Sequence, residues 1–179
     1  FQPDESAFLE MLQQESPDVV GITALLPSKE SALKLAGIAH DFGATVVVGG
    51  PDPTRSPKTY LAYPQVDLVV HHEGEETLLA LLNLFDENHL TPETLQNEPG
   101  VAYRDPTGEV ILNPPRPFIK NLDELPFPAR DLIDMDQYLE TWRDENGYAS
   151  LSISTTRGCP YGCEWCQDAV HGRQFRQRS

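Results

Sequence analysis

Three short runs rich in valine and isoleucine constrain the fold of this 179-residue chain more than any other feature: Asp18–Leu25, Thr45–Gly49 and Val66–Val70. Each is short and almost continuously apolar, and so reads as a strand covered on both faces. Stretches with helical spacing separate them. Over Asp4–Gln14, Phe8, Leu9, Met11 and Leu12 fall near helical intervals, with Asp4 or Ser6 as cap and Pro17 as the stop. Ser28 can cap a second helix through about Phe42, which Gly43 ends, and Ser56-Pro57 opens a short one to about Tyr63. Glu75 to Asp86 is helical, with Leu78, Leu79, Leu81, Leu82 and Phe85 as its buried side. Strands alternating with helices predict an α/β fold built on a parallel, doubly wound sheet. Ligands of such sheets sit beyond the carboxyl ends of the strands. Those ends carry Thr23–Leu25, Gly49–Pro51 and His71–Gly74. Three parallel strands are few, and the chain opens on a helix at Phe1. The expectation is a partial sheet whose first strands are missing.

The character changes at residue 99. Residues 99–128 hold 7 of the 16 prolines, which forbids a regular element through Asn113–Pro117 and Leu125–Pro128. Within this stretch Gly100–Arg104 and Glu109–Leu112 flank Asp105-Pro-Thr-Gly108, the pattern of a hairpin. A weak helical pattern covers Met135–Trp142, and Ala149–Thr155 alternates with the period of a strand before running into a cysteine-bearing loop. The organisation read from the sequence is therefore a domain over 1–98, a Pro-rich linker with a hairpin over 99–148, and the start of another domain over 149–179.

The formal net charge is −15, without the basic footprint of a nucleic-acid binder. No apolar run approaches the roughly 18 residues of a membrane helix, and no signal peptide is visible, so a cytoplasmic location is expected. The acidity is uneven. Residues 1–98 carry 4 basic and 16 acidic groups, whereas residues 151–179 carry 4 basic and 2 acidic. The three cysteines all lie in that basic end.

Arg157-Gly-Cys159-Pro-Tyr-Gly-Cys163-Glu-Trp-Cys166 is the strongest chemical signal. An odd number of thiols within eight residues is no disulfide framework; it reads as metal binding or catalysis in a reducing compartment. Three thiolates suit an iron–sulfur cluster or zinc, and three leave one iron of a cubane without a protein ligand. The spacing resembles the radical S-adenosylmethionine (SAM) motif, C-x3-C-x-(aromatic)-C. The resemblance implies that Cys159, Cys163 and Cys166 hold a 4Fe–4S cluster whose open iron is chelated by SAM, with Trp165 near the adenine. It also implies the first strand and cluster loop of a (β/α) barrel, an electron donor such as flavodoxin or ferredoxin, and a deoxyadenosyl radical that abstracts a substrate hydrogen. The plainer alternative is a closed zinc site with His171 as fourth ligand, or a vestigial loop on a non-catalytic cofactor module.

A second resemblance rests on Gly21-Ile-Thr23-Ala-Leu25, Val47-Val-Gly49-Gly50-Pro51 and His72-Glu73-Gly74-Glu75. These are similar to the strand ends of the cobalamin-binding domains of radical enzymes and corrinoid methyltransferases, a flavodoxin- or Rossmann-like fold. Small residues there let a nucleotide tail pass between strand and helix. The family's Gly-Glu-Gly-Glu reads His-Glu-Gly-Glu here, and Asp52 stands where relatives often have histidine. Leu122–Arg130 resembles the linker between the two domains of that class, and Arg173–Ser179 the segment after its cluster loop. By resemblance, Thr23, Leu25, Gly49, Gly50, Glu73 and Gly74 would contact cobalamin. The implied enzyme is a methyltransferase or radical cyclase acting at an unactivated carbon of a small molecule. No lower axial cobalt ligand and no catalytic residue can be nominated.

Overall fold

The computed structural model describes residues 4–164, 166 and 170–179, which divide into two compact units. The first unit comprises residues up to Phe118 together with Cys166 and residues 170–172. It opens with helix α1 (Glu5–Glu15), strand β1 (Val19–Thr23), helix α2 (Lys29–Phe42) and strand β2 (Thr45–Gly49). Two short helices follow, α3 (Pro51–Arg55) and α4 (Pro57–Leu61), then β3 (Leu68–Val70), α5 (Glu75–Asp86) and α6 (Pro92–Leu95). A hairpin of β4 (Val101–Arg104) and β5 (Val110–Leu112) completes it. The Asp4 carboxylate accepts from the Ser6 and Ala7 amides at 3.1 Å, which starts α1 where the sequence places its cap.

The sheet runs β1-β2-β3-β4-β5, with β1, β2 and β3 parallel and the last two antiparallel. Alternate side chains feed two cores, one on each face. On one face Val46, Val48 and Val69 pack with Leu12, Tyr60 and Leu61 and with the alanine stripe Ala32, Ala36, Ala39 of α2. Methyl side chains at those spacings let α2 lie close to the sheet. On the other face Val47, Leu68 and Val70 pack with Leu81 of α5 and with Leu95, Val101 and Tyr103. The predicted α/β sheet with helices on both faces is present. Its third strand is shorter than predicted: the Asp67 amide still donates to the Val46 carbonyl at 3.1 Å, but the Val46 amide is taken by the Asp67 carboxylate at 2.7 Å and not by a backbone carbonyl.

The hairpin differs from its sequence reading. It extends the sheet rather than standing in a linker, so the first unit runs to Phe118 and not to residue 98. Buried polar contacts hold it there. Asn113 donates through Nδ2 to the Leu95 and Glu98 carbonyls at 2.6 and 2.7 Å. Thr77, fully buried on α5, donates to the Pro99 carbonyl at 3.3 Å and accepts from Arg116 Nε at 3.0 Å. Arg116 in turn pairs with Glu98 at 3.0 Å.

The second unit comprises Ile119–Glu164 and Arg173–Ser179. Its main element is α7 (Met135–Asn146), longer than the predicted Met135–Trp142, with the Asp134 carboxylate capping the Gln137 amide at 2.9 Å. The predicted strand over 149–155 does not form. Residues 151–155 carry no regular structure, and pairing begins only at β6 (Thr156–Arg157), which meets β7 (Arg176–Gln177) in a two-stranded antiparallel ladder. Period-two alternation needs a continuous hydrogen-bonded neighbour to become a strand, and among the described residues 149–155 have only one backbone partner from outside, the Arg178 amide, which donates to the Thr155 carbonyl at 2.9 Å. The basic tail is engaged within this unit. Arg176, buried, donates to the Ile119 carbonyl at 2.8 Å, and Arg178 donates to the Leu125 carbonyl at 3.0 Å and lies over the Phe127 ring. Among the described residues, no helix is long and apolar enough to cross a membrane.

Candidate functional site

A cleft of about 390 Å³ opens in the first unit beside the carboxyl ends of β1, β2 and β3. Gly21 and Thr23 of β1 lie side by side with their register partners Val47 and Gly49 of β2. Val70 continues the row, and Gly74, Glu75 and Leu78 at the start of α5 close one side. His72, Glu73 and His171 also line it. The floor is open at Gly21 and Gly49, which carry no side chains. A Cβ added at Gly21 would meet nothing within 4 Å, so this glycine leaves space that any other residue would fill.

Gly50 has a different role. With φ +106°, it carries the chain from β2 into α3, and a Cβ there would stand 2.8 Å from the Ala24 carbonyl oxygen and 3.0 Å from Thr23 Cγ2. It lets the end of β2 nest against the β1 turn, where the Ala24 amide donates to the Gly49 carbonyl at 2.8 Å. Asp52 faces elsewhere: its carboxylate accepts from the Tyr60 hydroxyl at 2.6 Å, and burial and that carboxylate together raise the Tyr60 pKa. It is not among the residues lining the cleft.

Five of the six residues assigned to cobalamin by resemblance, Thr23, Gly49, Gly50, Glu73 and Gly74, line this cleft. Leu25 does not. It lies past the end of β1, half exposed, with its amide donating to Ser28 Oγ at 3.0 Å. Gly21, Val47, Val70, His72 and Leu78 were not nominated from the sequence. For Gly21 and Val47 a signal was available, since each stands two residues before a nominated strand-end position and therefore on the same face.

Glu73 is a buried carboxylate, 4% exposed, whose Oε1 lies 3.2 Å from His171 Nδ1. His171, the fourth donor that a closed zinc site would need, is thus engaged at the cleft. His71 is also buried, and burial first, then the neighbouring His72, lowers its pKa below the ordinary histidine value. Cys159 and Cys163 belong to the second unit and Cys166 to the first. All three are free thiols; Cys163 is exposed and the other two are partly covered. Among the described residues no group of three His, Cys, Asp or Glu side chains is gathered as a metal site. Trp165 lies outside the described residues.

Residues 1–82, which span β1, β2, β3 and the start of α5, match the family model of the B12-binding domain. Over those residues this chain is similar to B12-binding domains. The cleft therefore lies within the matched region, apart from Val170 and His171. Over 178 residues the chain is 34% identical to an uncharacterized methyltransferase of Pyrococcus horikoshii, covering 97% of this chain and 37% of the relative. It is 28% identical to the anaerobic magnesium-protoporphyrin IX monomethyl ester cyclase of Rubrivivax gelatinosus, covering 97% of this chain and 31% of that enzyme. The structure of the cobalamin-dependent SAM radical enzyme OxsB, with aqua-cobalamin and SAM bound, superposes with a TM-score of 0.78 at 25% identity. That match covers 97% of this chain and 23% of OxsB. The chain thus spans about a third of the length of the curated relatives it matches.

Proposed function

We propose that this chain is the cofactor-bearing part of a cobalamin-dependent radical SAM enzyme that methylates, or closes a ring at, an unactivated carbon of a small molecule. The observation that carries this reading is the glycine-floored cleft of a region similar to B12-binding domains, in the same chain as a C-x3-C-x2-C loop. The residues present fit both groups. Gly21 leaves the room that a nucleotide tail requires, and three unpaired thiols provide the soft donor set of a cluster with one open iron. When bound, cobalamin supplies a methyl carrier, and the cluster with SAM supplies the one-electron chemistry that activates a C–H bond.

The chain's own residues position and exclude. Gly21, Thr23 and Gly49 would admit the tail, while Val47, Val70 and Leu78 keep water from it. Cys159, Cys163 and Cys166 would hold three irons, and Trp165 would flank the adenine. An electron donor of the flavodoxin or ferredoxin class would be required, and the reducing chemistry suits the cytoplasm. That relatives include a methyltransferase and a cyclase supports either outcome at the substrate carbon.

Titration of the chain with aquocobalamin, followed by absorbance and by retention through gel filtration, tests the cobalamin half of this reading. Stoichiometric retention is expected; a chain that emerges colourless overturns it. Gly21→Val sharpens the test. The branched side chain suits a strand and its Cβ meets nothing within 4 Å, so the urea midpoint should hold or rise. Cobalamin affinity should fall by about tenfold or more, as overpacking by a few methyl groups implies. Unchanged affinity in a folded variant would show that the cleft is not the site.

A further inference from the structure

Residues 170–172 follow the cysteine loop in sequence, yet they pack on the first unit. Val170 and His171 line its cleft. His171 Nδ1 lies 3.2 Å from Oε1 of the buried Glu73, 98 residues earlier in the chain. Gly172 then turns through φ +62° against Phe118: a Cβ there would stand 2.7 Å from Phe118 Cζ and 2.8 Å from Cε2. The Phe118 ring also meets the His72 ring edge-on at 6.2 Å, so the surface that receives Gly172 is itself packed. Two successive residues are thus fitted to the first unit, one by a polar pair and the other by having no side chain.

Docking so short a segment is opposed by the entropy of ordering its backbone, so anything that fixes either side of it favours the docked state. A ligand in the cleft would do so by touching Val170 and His171. A metal centre that fixes Cys166 would do so from the other direction, leaving only residues 167–169 between two held points. Cys166 is grouped with the first unit while the segment is docked, so neither event undoes the other. We infer that His171 is a positioning residue that straps the end of the cysteine loop to the cleft, so that a metal centre at Cys166 and cobalamin in the cleft each strengthen the other's binding; this rests on the proposal that the cleft takes cobalamin. His171 acts through Glu73, and the coupling is reciprocal by thermodynamic necessity.

The experiment measures affinity for methylcobalamin by equilibrium dialysis in the dark. It compares the metal-free chain with the chain reconstituted with iron and sulfide, or loaded with zinc where it takes zinc instead. The methyl group keeps thiols and imidazoles off the cobalt in both forms. The loaded wild type should bind about fivefold more tightly than the metal-free one, the low end of coupling between two sites. In His171→Ala the two forms should bind alike. His171→Gln keeps an amide donor for the Glu73 carboxylate and should recover part of the ratio. Gly172→Val tests the second contact: its side chain would meet the Phe118 ring and its φ would be strained, so the ratio should fall toward one there too. A residue that merely held the fold would weaken both forms together and leave the ratio unchanged. The His171 side chain is 44% exposed and Gly172 lies outside the regular elements, so urea midpoints of the metal-free variants should stay near that of the wild type. Equal affinities in the two wild-type forms, or a full ratio in His171→Ala, overturn the strap and leave the cofactor assignment standing. A chain that takes up no metal overturns the strap as well. Failure of the wild type to bind methylcobalamin in either form overturns the cobalamin reading, and the strap with it.

Discussion

Replacing Cys159, Cys163 or Cys166 singly with alanine is expected to abolish assembly of an iron–sulfur cluster. Anaerobic reconstitution of the wild-type chain with iron and sulfide should give a brown protein holding roughly four irons per chain. With only three cysteines in the whole sequence, no spare thiol can replace a lost ligand. Each alanine variant should therefore emerge nearly colourless, with iron reduced to a small fraction of the wild-type value. None of the three cysteines lines the cleft, so each variant should retain cobalamin as the metal-free wild type does. That contrast separates loss of a ligand from loss of the fold. A wild-type chain that stays colourless and takes up zinc stoichiometrically would overturn the cluster assignment, as would an alanine variant that keeps the full brown spectrum.

Gly50→Ala is expected to destabilise the first unit by about 3 kcal/mol or more, a large share of the 5–15 kcal/mol typical of a domain. Two costs combine. The φ of +106° lies where a Cβ is unfavourable, which alone is worth about 1–3 kcal/mol. The new methyl would also meet the Ala24 carbonyl oxygen at 2.8 Å and the Ala24 amide nitrogen at 3.2 Å, both backbone atoms that cannot rotate away. Gly43 isolates the first cost. Its φ is +99°, yet a Cβ there meets nothing within 4 Å, so Gly43→Ala should cost only about 1 kcal/mol. Urea unfolding followed by circular dichroism should rank the variants Gly50→Ala below Gly43→Ala, and Gly43→Ala below Gly21→Val. A Gly50→Ala midpoint equal to that of Gly43→Ala would show that the β1 turn yields to the methyl group. Because the same contact sets the spacing of Thr23 and Gly49, Gly50→Ala should weaken cobalamin binding as well.

The elements of the first unit were legible wherever local chemistry decides them. Asp4 caps α1, Gly43 ends α2 and α5 spans the predicted Glu75–Asp86, because caps and periodicity act within a few positions; of the residues expected on the buried side of α5, Leu81 is buried but Leu79 and Leu82 are exposed. The destination of the hairpin was not legible. Nothing in Val101–Arg104 or Val110–Leu112 says which sheet edge it joins; Thr77, Asn113 and Arg116 settle that through contacts 15 to 39 residues apart in sequence. The same limit explains residues 149–155, where alternation was read as a strand and, among the described residues, only one backbone group from outside pairs with it, the Arg178 amide at the Thr155 carbonyl. At the cleft, small residues at strand ends marked Thr23, Gly49 and Gly50. Leu25 was misplaced because β1 stops at Thr23 and the chain turns. His72 was legible as a strand-end residue standing where the family has glycine, whereas its left-handed backbone angle was not, because residue type alone does not report it.

The two units differ sharply in how much they bury. Ile119 and Leu122 are the buried hydrophobics of the second unit among the described residues, against two full side-chain clusters in the first. A unit so poor in apolar burial has little heat capacity or denaturant sensitivity of its own, so its opening should be shallow and early. Trp142 sits in that unit, whereas the far-ultraviolet signal comes mostly from the sheet and helices of the first. Fluorescence of Trp142, read in a Trp165→Phe variant, and circular dichroism should therefore trace different melting curves for the same molecule, so that no single Tm describes it.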